Sequence, residues 1–365
     1  MAKDSIAYHW RRYKEGDEAR IYELVRSVWG GREVVPEWNR WLDGWLWMFS
    51  HNPAGVGEIW LAEYEGKLIG QYPLVAADML IKGKVCKVAQ LADTMTLQSF
   101  RRLGIASKLG GHALEQLRQK NLGLAFGFPT LEAVPVHKRA GWLDVCTCQS
   151  VIKPLNYRRL VECFITGHRA GALPLSSALA TLDKVISRNR KLVRQTAIQI
   201  EKITRFDRRF DYFWQNLSGD YEIILVRDST YLNWRYIENP NNEYEVYAAV
   251  RDKDICGYVV VESYKKRNCL IWRVVDIIAA DDQVEVLGEL IDIVVSIARV
   301  NGADAIVSRV VGGRYLDLYT EHGFYRMPRK DGHFIAFSTS DEVAEEYLSA
   351  SDRWFIQLGD LPMVY

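Results

Sequence analysis

The sequence lacks a charge excess and a long apolar run. It contains 47 basic and 46 acidic residues, so no bulk attraction to nucleic acid or to an anionic membrane is indicated. It has no stretch of about 18 consecutive apolar residues, the length that a membrane-spanning helix needs. We therefore expect neither a nucleic acid nor a membrane as a partner.

The cysteines lack the spacing of a metal site or of a disulfide framework. They occupy positions 86, 146, 148, 163, 256 and 269, without a C-x-x-C pair or a matching pair of histidines. Reduced thiols in a cytoplasm fit this pattern. The first 20 residues are charged and have no apolar core, unlike a secretion signal. The sequence thus predicts a cytoplasmic protein without a metal site.

The length and the order of the predicted elements indicate two domains. The chain has 365 residues, of which 48% are hydrophobic, and this is enough for two separate cores. We predict an N-terminal domain over residues 1–153, a helical connector over 154–211, a second domain over 212–340 and a C-terminal tail over 341–365.

The clearest local signal lies in residues 88–128. This stretch predicts a strand, a tight loop at 101–106, a helix over about 107–120 and a second strand over 122–128. Such a unit joins two parallel strands and directs free backbone N–H groups outward from the start of the helix. The geometry is suited to binding an anion.

The loop has the residue types that a pyrophosphate site needs. Gly104 and Ala106 keep the backbone amides accessible, and Arg101 and Arg102 add positive charge. Arg101, Gly104 and Ala106 match the pattern Gln/Arg-x-x-Gly-x-Gly/Ala. The segment resembles the acyl-CoA loop of the GNAT superfamily of N-acyltransferases.

The order of predicted elements over residues 5–153 also resembles the complete GNAT fold. Three antiparallel strands precede the loop, and a short helix and a last strand follow the crossover. The resemblance implies an α/β (α+β) fold, a mixed and mostly antiparallel sheet flanked by helices. The predicted elements are strands at 58–64, 68–81, 85–97 and 145–152 and a helix at 131–140.

An aromatic segment at residues 37–52 has roughly helical spacing. Its large aromatic residues are Trp38, Trp41, Trp45, Trp47 and Phe49. A helix that covers the core explains this spacing. An aromatic wall for an acceptor pocket is the alternative.

The same order of elements recurs in the second domain, after a connector with helical periodicity at 157–166 and 176–201. Residues 318–324 echo residues 136–142, but the stretch 279–285 has no glycine and three acidic residues, which would repel a pyrophosphate. The second copy is therefore expected to be silent. Basic residues in the connector indicate a solvated helix, with a phosphate- or RNA-binding face as the alternative.

The resemblance implies acetyl-CoA as co-substrate and assigns contacts to it. The strand before the loop would pair with the pantetheine arm through Thr94, Met95 and Thr96, and Thr130 would bond to the same arm. The pyrophosphate would contact Arg101, Arg102, Leu103, Gly104, Ile105, Ala106 and Ser107.

The resemblance also points to the acid of the reaction. Family members often carry a Tyr four residues before the Gly-aromatic pair, where it protonates the leaving thiolate. This chain has His137 at that position, and a pKa near neutrality would suit a histidine to the same proton transfer. A half-exposed helix histidine is the alternative. Asp93 is the best-placed general base, with Glu132 and Glu58 behind it, and each of the three also suits a capping or turn role.

Together these features predict an N-acetyltransferase that moves an acetyl group from acetyl-CoA to a primary amine, with a small molecule such as an amino sugar favoured. The alternative from another class is a non-catalytic acyl-CoA-binding or scaffold protein. A transferase that uses aminoacyl-tRNA, as the Fem-type proteins do, fits less well because those proteins generally lack an intact pyrophosphate loop. The acceptor and the oligomeric state stay open.

Overall fold

The computed structural model describes residues 7–30, 35–120, 122–162, 198–280, 283–313 and 315–362. Their strands are β1 (His9–Arg12), β2 (Glu58–Tyr64), β3 (Lys67–Ile81), β4 (Lys84–Leu91), β5 (Met95–Thr96), β6 (Leu124–Gly127), β7 (Leu143–Pro154), β8 (Gln199–Ile203), β9 (Ile223–Leu225), β10 (Glu245–Arg251), β11 (Asp254–Lys266), β12 (Cys269–Ala279), β13 (Ala305–Val311), β14 (Tyr325–Ser338) and β15 (Trp354–Phe355).

The helices pack on this sheet. They are α1 (Glu18–Trp29), α2 (Trp38–Phe49), α3 (Ile105–Gln119), α4 (Val134–Arg139), α5 (Tyr157–Val161), α6 (Arg208–Leu217), α7 (Ser229–Leu232), α8 (Val284–Val300), α9 (Leu316–Glu321) and α10 (Glu345–Ser349). A π-helical turn, Asn233–Ile237, continues α7. The predicted fold class, a large and mostly antiparallel sheet flanked by helices, is confirmed.

One continuous sheet of 15 strands runs through the described residues. Its main order is β1-β2-β3-β4-β6-β14-β7-β13-β12-β11-β10-β8. Within this main order two neighbouring pairs, β4 with β6 and β12 with β13, are parallel, and each is the crossover pair of one half. The halves therefore repeat the same arrangement about the centre of the sheet.

The halves exchange strands at that centre. Strand β14 of the second half lies between β6 and β7 of the first half, and β7 in turn pairs with β13. The sequence pattern over residues 5–153 did not indicate this exchange, because a strand pattern does not specify which strand becomes the neighbour. Each half needs the last strand of the other.

Two further expectations need correction. Residues 199–201 were expected at the end of a connector helix, but they lie in β8, which pairs with β10 at the edge of the sheet. The basic cluster of the connector, Lys184, Arg188, Arg190, Lys191 and Arg194, lies outside the described residues. The segment expected to be a tail packs into the molecule, since β15 pairs with β9 and Trp354 is buried.

The aromatic helix α2 packs against the core, as expected. Trp41, Trp45 and Phe49 are buried, and Trp47 reaches the second half. The Trp47 ring stacks on Trp234, with 4.6 Å between centroids, and each indole N–H donates to the backbone carbonyl of the other residue, at 2.9 and 3.2 Å. Helix α2 thereby ties the two halves together.

Three findings on the described residues concern membrane-spanning helices, metal ligands and cysteine thiols. No helix in the described parts of the chain is both long enough and apolar enough to cross a bilayer. The same residues contain no group of three or more candidate metal ligands. Five cysteines, at positions 86, 146, 148, 256 and 269, are free thiols.

Candidate active site

The candidate site begins where β4 and β6 separate. The two strands pair only at Ala89 with Ala125 and at Gln90 with Phe126. The chain then resumes as β5, whose pairing partner in the described sheet is β3 and not β6, and we call the interval between β5 and β6 the gap. A gap of this kind leaves backbone groups that an extended ligand can bond.

Asp93 lies at the separation point, in a strained backbone conformation. Its φ is +24°, which is unfavourable for a residue with a side chain. The side-chain amide of Gln71 donates to the Asp93 carbonyl oxygen at 3.0 Å and helps to hold the kink. Kinks of this type are concentrated at functional sites.

The anion loop adopts the conformation that its sequence predicts. Gly104 has φ +78° and caps α3, which starts two residues earlier than expected, at Ile105. Arg102 also has a positive φ, +69°. The Ser107 hydroxyl donates to the Gly104 carbonyl at 3.1 Å, and the first N–H groups of the helix have no acceptor within it. Free amides at the start of a helix are groups that an anion can bind.

The remaining predicted cofactor residues lie along this path. Arg101 Nε donates to the Thr96 carbonyl at 3.2 Å, which ties the loop to β5. Thr94 and Thr96 are half-buried, whereas the side chain of Met95 is buried in the core. Exposed positions are Arg101, Arg102, Gly104 and Thr130; half-buried ones are Leu103, Ala106 and Ser107; Ile105 is buried.

Three buried side chains form a hydrogen-bonded chain from β3 to α4. Trp142 Nε1 donates to the Tyr72 hydroxyl at 2.9 Å, and the same hydroxyl lies 3.3 Å from His137 Nδ1. Tyr72 needs the glycine at position 110, because a Cβ there would lie 2.8 Å from its ring. The chain lies on the side of the sheet that α3 and α4 cover.

The pKa and the burial of His137 differ from what the sequence led us to expect. Only 2% of the residue is exposed, and burial lowers its pKa to about 4. The expected pKa near neutrality was therefore wrong, as was the alternative of a half-exposed helix histidine. At pH 7 the ring is neutral. No sequence pattern pointed to Tyr72, whose contact with His137 spans 65 positions.

The candidate general bases lie in different environments. Asp93 is half-buried at the separation of the strands. Glu58 lies on β2, two strands away from β4, and pairs with Lys120. Glu132 is exposed in the turn before α4. Only Asp93 lies at the gap.

The opposite side of the sheet carries a small cavity between the two halves. Its volume is about 20 Å³, room for roughly one water molecule. Gln90 on β4 lines it from the first half, at the last residue before the gap. The second half contributes Tyr231, Trp234, Arg235 and Asp360 among others.

A buried ion cluster of Arg227, Asp276 and Asp360 lies beside that cavity, which Asp360 helps to line. All three side chains are almost fully buried. Arg227 Nη2 donates to both Asp360 carboxylate oxygens, at 2.9 and 2.8 Å, and its Nε lies 3.4 Å from Asp276. Burial raises the pKa of Asp360, and Arg227 opposes that rise. The Asp360 carbonyl accepts a hydrogen bond from Gln90, so the cluster reaches β4.

The comparisons with known proteins agree with this geometry. Residues 9–143 match the family described as an acetyltransferase (GNAT) domain. At the level of sequence, the chain has no match among curated proteins.

Several solved structures share the fold at low sequence identity. A GCN5-related N-acetyltransferase from Anabaena variabilis is 11% identical, with a TM-score of 0.63 over 92% of this chain and 73% of that one. A tandem GNAT protein from the clavulanic acid biosynthesis pathway is 13% identical, with a TM-score of 0.55 over 92% and 99%. N-myristoyltransferase from Saccharomyces cerevisiae with bound myristoyl-CoA is 13% identical, with a TM-score of 0.58 over 91% and 79%.

The loop, the gap and these matches point to one fold family, whose architecture supports acyl transfer from an acyl-CoA. Residues 9–143 match the GNAT family of acetyltransferases, and the described residues share the fold of solved GNAT structures, one of them a tandem GNAT protein.

Proposed function

We propose that the protein is an N-acetyltransferase that moves an acetyl group from acetyl-CoA to a primary amine of a small-molecule acceptor. The observation that carries this proposal is the gap between β5 and β6, which has the anion loop at one end. The pyrophosphate would bind the amides at the start of α3. The pantetheine would extend along Thr94 and Thr96 toward Asp93, where the strands separate.

The two sides of the gap differ in a way that suits acyl transfer. The buried chain of Tyr72, His137 and Trp142 lies on the helix side, and the cavity beside Gln90 lies on the side of the second half. An amine that approaches from the side of the cavity would attack the thioester from one side while His137 acts on the leaving sulfur from the other. Asp93 would accept the proton of the amine.

The family match favours a short acyl group, since residues 9–143 match an acetyltransferase (GNAT) domain. Acetyl is accordingly the proposed donor group. We place the acceptor next to Tyr231 and Trp234, whose rings would pack against it.

We propose that the second half binds no cofactor. In that half the Tyr319 hydroxyl donates to Ser308 Oγ at 3.1 Å, and Ser308 donates to the Val274 carbonyl, also at 3.1 Å. A Cβ on Gly359 would lie 3.3 Å from a Val275 methyl group, so the segment around Asp360 packs against β12 where a cofactor would lie. The segment around Asp360 thus fills the position in the second half that corresponds to the gap between β5 and β6.

A non-catalytic acyl-CoA-binding protein is the second candidate. The residue at the position of the family's usual tyrosine is His137, and its pKa of about 4 leaves it uncharged at pH 7. Binding of acyl-CoA needs the loop and the gap but not this residue.

The proposal is tested by thiol release. The protein is saturated with acetyl-CoA, and free CoA thiol is followed across a panel that holds an amino sugar, a polyamine and a lysine peptide. We expect release that depends on at least one amine and is faster with acetyl-CoA than with myristoyl-CoA. Tight acetyl-CoA binding without any amine-dependent release would favour the binding protein instead.

A second prediction concerns His137. Replacing His137 with Ala should lower kcat by about 100-fold or more, the usual effect of removing a positioned group that acts on the reacting atoms, with little change in CoA affinity. His137→Tyr should recover part of the loss. Single-turnover rates are the measurement, so that chemistry and not product release is compared.

The matched control is Lys138→Ala on the same helix. Lys138 is exposed and pairs with Asp144 at 3.4 Å, a surface contact of small energetic value. We expect this variant to react at the parent rate. Equal rates for all three variants would remove His137 from the mechanism.

A further inference from the structure

In the hydrogen-bonded chain of Trp142, Tyr72 and His137, the donor and the acceptor of each bond can be assigned. An indole N–H can only donate, so Trp142 occupies a lone pair of the Tyr72 oxygen. The Tyr72 hydroxyl keeps one proton to donate. His137 Nδ1 lies 3.3 Å from the same oxygen. In this arrangement Nδ1 is the acceptor.

The opposite arrangement is unfavourable. If Nδ1 carried the imidazole proton, the Tyr72 oxygen would accept twice and its own proton would need another acceptor. Tyr72 is fully buried, and a Cβ at Gly110 would lie 3.1 Å from its oxygen, so helix α3 closes that side. A buried donor without a partner carries a free-energy cost. This cost selects one tautomer.

We propose that Tyr72 is a positioning residue that holds His137 as the neutral tautomer with its proton on Nε2, so that His137 stabilises the leaving sulfur as an uncharged hydrogen-bond donor. The inference rests on the proposed function. The low pKa of His137 agrees with it, because an imidazolium is scarce at pH 7.

The proton balance of acyl transfer does not require His137 to ionise. The amine nitrogen attacks the thioester carbon, and the C–N bond forms as the C–S bond breaks. The proton lost by the amine passes to Asp93 and then to solvent, and the thiolate takes a proton from solvent. His137 keeps its own proton and donates a hydrogen bond to the sulfur while charge develops there.

The first test is nitrogen NMR of the histidine side chains in the protein without substrate. We expect His137 to show a protonated Nε2 and an unprotonated Nδ1, unchanged between pH 6 and pH 8. Tyr72→Phe should give a mixture of both tautomers. Trp142→Phe is the control, since it removes the donor to Tyr72 but leaves the bond from Tyr72 to Nδ1. A proton on Nδ1 in the parent protein would overturn the proposal, and this measurement needs no variant to fold.

The second test is kinetic. Tyr72→Phe should lower the single-turnover rate about tenfold, the loss of one hydrogen bond of about 1.4 kcal/mol, with unchanged CoA affinity. A parent rate in Tyr72→Phe together with a slow His137→Ala would reject the positioning role while leaving the proposed function in place. Parent rates in both variants, with the expected tautomer, would reject the role of His137 itself.

Discussion

Replacing Gly104 with Val should abolish measurable binding of CoA. Gly104 has φ +78°, and its missing side chain leaves the amides of the loop open to the pyrophosphate. A branched side chain there would hold the phosphate away from them. Losing two charge-assisted hydrogen bonds of about 1.5 kcal/mol each would weaken binding by about 100-fold or more. Calorimetric titration of the full chain measures the effect.

The strain of the substitution needs its own control. Gly66 has φ +75° in the turn between β2 and β3, and a Cβ there would meet nothing within 4 Å. Gly66→Val therefore introduces similar backbone strain at a distance from the gap and should keep the parent affinity. The parent should bind one CoA per chain. A second site that survives Gly104→Val would show that the second half also binds the cofactor.

Local patterns predicted a large part of the fold. Strand β2 has the bounds expected from residue alternation alone. The anion loop around Gly104 was also predictable, because its conformation depends on a few neighbouring residues. Where a feature is encoded over about ten residues, the sequence suffices to find it.

Features that depend on distant partners were not predictable. The exchange of β14 into the first half depends on which of several apolar strands reaches the free edge of β6. The short strand β8 was read as the end of a helix because its pairing with β10 leaves no trace in local periodicity. Pairing between strands that are far apart in the sequence determines both the exchange of β14 and the formation of β8.

The site shows the same division. Thr94, Thr96 and the loop residues were predicted from a local motif, whereas the partner of His137 on β3 was not. Its pKa was also misjudged, because burial depends on α3, α4 and β7 meeting at one place. The sequence thus indicates which groups are available, and packing determines their protonation.

The last prediction concerns the buried ion cluster. Arg227→Met should lower the free energy of unfolding by about 3–5 kcal/mol, since two buried carboxylates would lose the arginine with which they form ion pairs. Chemical denaturation measures this change. The control is Arg205→Met, whose exposed contact with Glu238 at 3.7 Å should contribute no more than about 1 kcal/mol.

The pH dependence of the loss should identify its cause. The pKa of Asp360 is already raised by burial, and removing Arg227 would raise it further. A carboxyl whose folded pKa lies above its unfolded value binds more protons in the folded state, so the folded state gains stability as pH falls toward the unfolded pKa. The deficit of Arg227→Met should therefore be smaller at pH 5 than at pH 8. A deficit that is equal at both values would mean that lost packing, and not the uncompensated charge of Asp276 and Asp360, destabilises the variant.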